Sequence, residues 1–157
     1  MKSRRFLIGL NTILLSITIG LLIHHLLVFI PQQHQLINEI ELFKNQFGLT
    51  YVKQQYTLLK IVIAPWLLEL IVGIGLISKA TNKIQRLASI GNFGLFCISM
   101  IVLVVADLPL QLVLSNGYHV FAYKMSTLIH WVFLLMWNFR LFLTIVQLQV
   151  KSNNIPA

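Results

Sequence analysis

The chain has 157 residues, of which 57% are apolar, 11% aromatic and 10% charged, with a mean hydropathy of +0.82. A soluble domain averages roughly 45–50% apolar and about 25% charged, so the composition excludes an ordinary soluble enzyme and a disordered tail, and a single cysteine excludes a disulfide scaffold. Twelve Lys and Arg against four Asp and Glu give a net charge of +8. These positives sit at the ends of apolar runs with no basic stripe, which speaks for membrane topology and against a nucleic-acid partner.

Length allows one domain, 1–157. Four apolar runs stand out in chain order: Phe6–Ile30, Ile61–Ser78, Leu87–Leu108 and Thr127–Leu148. At ~1.5 Å per residue they reach roughly 27–38 Å, enough for a hydrocarbon core of about 30 Å. The alternating polarity of barrel strands is missing. The reading is an all-α membrane bundle of four antiparallel transmembrane helices.

The first run follows Met1-Lys2-Ser3-Arg4-Arg5, which imitates a secretory signal. It is too long for a signal core and no small-x-small cleavage site follows, so it reads as a retained helix. Along it Asn11, Thr18 and His25 are heptad-spaced, while Thr12, Ser16, Gly20 and His24 form a ridge on the far side, expected to pack closely against a neighbour. Next, Leu36, Ile40, Phe43 and Phe47 recur at helical spacing before Gly48. This predicts a short amphipathic helix on the outer surface, capped at Gly48, that closes the bundle end or acts as a lid.

On the second run Pro65, Glu69 and Gly73 align, and on the third Asn92, Ser99 and Ala106. Asn116-Gly117 signals a turn, and Tyr118, Phe121 and Tyr123 read as an interfacial aromatic belt. His34 and His119 read as loop residues. On the fourth run His130, Trp137, Arg140, Thr144 and Gln147 occupy one face, which cannot comfortably meet lipid and is expected to face inward.

With the N-terminus cytoplasmic, the inner segments hold Lys2, Arg4, Arg5, Lys79, Lys83, Arg86 and Lys151, against Lys44, Lys53, Lys60 and Lys124 in the longer outer ones. Both termini are therefore expected to be cytoplasmic, in a multi-pass, bacterial inner-membrane protein.

Ionisable side chains within a membrane are costly and mark sites. By depth, Glu69 and Arg140 fall within about 3–4 Å of the bilayer centre, while His24, His25, Asp107 and His130 lie roughly 8–13 Å toward the outer face. The central pair is read as an ion pair that fixes helix register, or as a ligand site built by Glu69, Trp137, Arg140 and the adjacent Asn138. Glu69, His130 and Arg140 are the catalytic candidates. The outer group is read either as hydrogen-bonded interfacial histidines or as a metal or haem site, since imidazole and carboxylate suit iron and zinc.

The C-terminal third carries Asp107-Leu108-Pro109-Leu110-Gln111, then His130-Trp131-Val132 with Trp137 and Arg140. This pattern resembles a group of uncharacterised bacterial four-helix integral membrane proteins, matching at Trp131, Trp137 and Arg140. His130 stands where that pattern has Asn, and Phe133 where it has Arg. The group is itself similar to the anthrone-oxygenase-like membrane family, whose members oxidise polyketide anthrones without an obvious metal or flavin. The resemblance implies a four-helix bundle and, by extension, an oxygenase-like enzyme acting on an apolar aromatic substrate. A second class stays open beside it: a non-catalytic membrane protein that binds an apolar small molecule, forms a homo-oligomer, or serves as an accessory subunit of a larger membrane complex.

Overall fold

The computed structural model describes residues 2–33 and 41–149, and these are helical but for two short turns. Five α-helices follow one another: α1 Lys2–His24, α2 Glu41–Ser78, α3 Lys83–Val102, α4 Leu108–Ser115 and α5 Val120–Gln149. A π-turn, His25–Phe29, continues α1, and another, Leu103–Asp107, joins α3 to α4 without a break. Four stretches are long and apolar enough to cross a membrane: Ser3–Gln33, Lys60–Ser78, Lys83–Ser115 and Val120–Gln149. Each of the four apolar runs thus lies within one of these longer helical stretches.

The turns have local causes. Asn82 caps α3 by accepting the Gln85 N–H at 2.8 Å, while the Gln85 side chain accepts from the N–H and hydroxyl of Thr81. The α4–α5 turn runs through Gly117, whose φ of +144° only glycine adopts without strain. His119 then accepts the Ala122 N–H at 3.3 Å in the first turn of α5.

Three expectations change. Gly48 is not a cap, because α2 runs unbroken through it. It serves close approach instead: a Cβ there would collide with the Ser115 carbonyl. Leu36 and Ile40 of the expected surface helix, and His34, lie outside the described residues, as do the side chains of Phe43 and Phe47. Tyr123 leaves the aromatic belt. It is buried, stacks edge-on with Tyr118 at 5.6 Å, and donates its hydroxyl to the Ile30 carbonyl at 2.9 Å. Finally, the ridge Ser16, Gly20 and His24 faces outward, and Gly20 has open space where a Cβ would stand. Close packing occurs elsewhere, at Gly73, where a Cβ would come 2.6 Å from the Phe93 ring.

Exposed large hydrophobics cover the outside of every span, among them Ile13, Leu67, Val105 and Leu135. Inside, polar residues share the core with apolar ones, the inverse of a soluble bundle. Leu15, Ile19, Phe96, Phe133 and Trp137 form one buried cluster, with Trp66 packed against it.

Candidate functional site

The inward polar residues sort into three layers. The central one draws on all four spans. Arg140 and Glu69 are 2% and 1% exposed, and the Arg140 Nη2 donates to Glu69 Oε2 at 2.6 Å. Arg140 Nε donates to Asn92 Oδ1 at 3.0 Å, and the Thr18 hydroxyl donates to Glu69 Oε1 at 3.3 Å. Thr144 ties the layer together: it accepts from Asn11 at 2.9 Å and from Asn92 at 2.7 Å, and donates to the Arg140 carbonyl at 2.9 Å. The aligned residues expected from helical spacing meet here.

The Arg140 guanidinium carbon lies 5.0 Å from the Phe96 ring centre and 4.8 Å from that of Trp137. Flat cations favour aromatic faces. Even so, Arg140 Nη1 is buried with no hydrogen-bond partner, and the same holds for the indole N–H of Trp66, while the indole of Trp137 reaches the Glu69 carboxylate. Two donors without acceptors therefore border one aromatic cluster.

The outer layer holds His25, Asp107 and His130. His25 opens the first π-turn and Asp107 closes the second. Their rings and carboxylate meet: His25 and His130 have ring centres 4.7 Å apart, and His130 Nε2 lies 4.0 Å from Asp107 Oδ2. Asp107 accepts from the Ser126 hydroxyl at 2.8 Å and the Gln111 amide at 3.1 Å.

Two of the expected residues stand apart. His24 is exposed on the far face from His25. Asn138 is also exposed and spends its amide on the Leu134 carbonyl, so it takes no part in the central site. A haem held between His25 and His130 does not fit: with about 2 Å from each nitrogen to the metal, ring centres across a porphyrin stand about 6 Å apart or more. Among the described residues no group of three His, Cys, Asp or Glu side chains is placed to hold a metal ion. His130 is also remote from the central pair, because the rings of Phe133 and Trp137 follow it in succession toward Arg140.

The inner layer went unread in the sequence. Arg4, counted there only as a topological charge, is 8% exposed. Its Nη1 donates to the Leu76 carbonyl near the end of α2, and its Nη2 to Gln147 Oε1, both at 2.9 Å. Ser89 donates to the same Gln147 oxygen at 3.0 Å. The signal that could have found it is the inward stripe of α5, which continues to Gln147 and needs a donor at that end.

No protein-family model, no curated protein and no solved structure matches the chain.

Proposed function

We propose that this is a multi-pass membrane protein whose spans form an antiparallel bundle, with both termini cytoplasmic, and whose central layer binds an apolar small molecule that presents an oxygen acceptor to Arg140. The sequence of contacts Arg4 to Gln147, Asn11 to Thr144 and His25 to His130 supports the antiparallel order of the first and fourth spans. The distribution of Lys and Arg supports the orientation.

One observation carries the ligand: the buried, unpartnered N–H donors of Arg140 Nη1 and Trp66 beside a single aromatic cluster. Each unmade buried hydrogen bond costs about 1–3 kcal/mol. A carbonyl, phenolate or carboxylate oxygen relieves that cost where neither water nor a further protein acceptor serves, and an apolar body suits the Phe96 and Trp137 faces.

An enzyme reading grows from the same geometry. Glu69 shares the guanidinium and is the proton acceptor in reach, while Arg140 stabilises the enolate or phenolate left behind. Of the three residues that carry the resemblance to uncharacterised bacterial four-helix proteins, Trp137 and Arg140 build this site, whereas Trp131 faces outward.

The test is chemical. Full-length protein is purified in mild detergent and extracted for small molecules, beside Arg140→Lys, which keeps the charge and loses the planar fork. A stoichiometric apolar compound bearing an acceptor oxygen is expected from the parent and is lost in the variant. An empty parent, or retention in the variant, overturns the ligand reading; arrival only with fixed partner chains favours an accessory subunit.

A further inference from the structure

The inner layer holds a buried cation that no acid balances. Arg4 is 8% exposed, and both groups it bonds, the Leu76 carbonyl and the Gln147 amide oxygen, are neutral. Among the described residues the ion pairs are Arg140 with Glu69 and His130 with Asp107, which belong to the other layers. The chain's remaining acids are Glu39 and Glu41. Glu41 opens α2 at the end opposite Leu76, roughly 50 Å away at ~1.5 Å per residue, and Glu39 stands just before it in the sequence.

The hydrogen bonding of this cluster is also incomplete. Gln147 Oε1 accepts from Arg4 and from Ser89, which fixes the amide and leaves Nε2 as a donor. That Nε2 and Arg4 Nε are both buried without a partner. Two joined side chains thus offer two spare N–H donors and one uncompensated positive charge. An anion with several oxygens is the group that takes up such a donor set.

Position supplies the chemical class. All four spans have an end here: Ser3 begins the first, Ser78 closes the second, Lys83 begins the third and Gln149 closes the fourth. Lys79, Lys83 and Arg86 are exposed around that end, and the Lys79 ammonium donates to the Ser3 hydroxyl. Lipid phosphates stand at the level of span ends, and basic pockets between helices hold anionic headgroups there. The residual exposure of Arg4, in the first turn of α1, gives the approach from the membrane edge. The outward faces beside it are apolar, Phe6 and Ile84 among them, so acyl chains have a surface to follow.

We propose that the inner layer binds the phosphate of an anionic phospholipid headgroup, with Arg4 and Gln147 as its donors and Lys79 as a supporting charge. The inference rests on the membrane reading above and not on the central ligand. A chain that needs no detergent would fail that reading; a detergent-held chain that takes no lipid fails this inference alone.

Full-length protein in mild detergent, stripped of lipid, is titrated with phosphatidylglycerol or phosphatidylcholine, and bound lipid is read by native mass spectrometry. The parent is expected to bind one phosphatidylglycerol at least about tenfold more tightly than phosphatidylcholine, whose choline cancels the charge. Gln147→Glu gives Arg4 an internal carboxylate and removes the spare amide N–H, so binding is expected to weaken at least about tenfold. Arg4→Lys keeps the charge, loses the planar fork and is expected to weaken binding in the same direction. Lys124→Gln lowers the net charge by the same step as Gln147→Glu, at the other end of α5, and is expected to bind as the parent does. Circular dichroism and elution volume show which variants are folded. Equal affinity for the two lipids, undiminished binding in either folded inner-layer variant, or an equal loss in Lys124→Gln overturns the inference. So does inorganic phosphate that occupies the parent as tightly as the lipid, which would make the ligand a free anion.

Discussion

The central and outer layers use the same ingredients, a buried carboxylate facing a nitrogen base, and treat them differently. Glu69 meets a permanently charged guanidinium at 2.6 Å, held by residues of all four spans. Asp107 meets an imidazole at 4.0 Å, held mainly by neutral donors beside the π-turns. The first pair is a direct hydrogen bond from a guanidinium, whose planar fork leaves further N–H groups for Asn92. The second is looser, with 4.0 Å between nitrogen and oxygen. The bundle thus carries a tight polar anchor drawn from four spans at its centre and a looser one beside the π-turns at its end.

Breaking the central pair should show the largest effect. Glu69→Gln or Arg140→Gln each strands a buried charge and is expected to cost about 3–5 kcal/mol. The double variant is expected to lose less than either single one, which reversible unfolding in detergent would measure. A double variant as unstable as the sum would show that the two residues do not act as a pair.

The outer layer should respond less. Ser126→Ala deletes a hydrogen bond to a charged acceptor, Asp107 Oδ1, and is expected to cost about 1.5–3 kcal/mol. That loss should shrink when the carboxylate is itself neutralised in Asp107→Asn. At the small end, Asn138→Ala changes an exposed residue bonded only within its own helix and should stay within about 0.5 kcal/mol. A larger effect would bring Asn138 back to the site.

The four helices were plain in the sequence because lipid demands long apolar runs and little else resembles them. The central site was nearly as plain. Asn11, Thr18, Glu69, Asn92, Arg140 and Thr144 follow regular helical spacing, so counting residues brings them to one interior. The outer layer was less so, since a π-turn leaves no trace in hydropathy and moves the inward face by one residue. Past the first π-turn the same slip occurs: Gln33 is buried while Gln32 is exposed. Gly48 misled for another reason. A glycine serves equally as a helix end or as a place of close approach, and only Ser115, 67 residues further on, decides between them.

The bond from Arg4 to Gln147 joins residues 143 apart, one near each end of the chain. Its partner Leu76 belongs to the second span and Ser89, on the same glutamine, to the third. Synthesis runs from the N-terminus, so the first span enters the membrane long before the group that completes its arginine exists. The inner layer therefore closes only after α5 has been made as far as Gln147, so the contact that completes Arg4 is among the last the bundle can form.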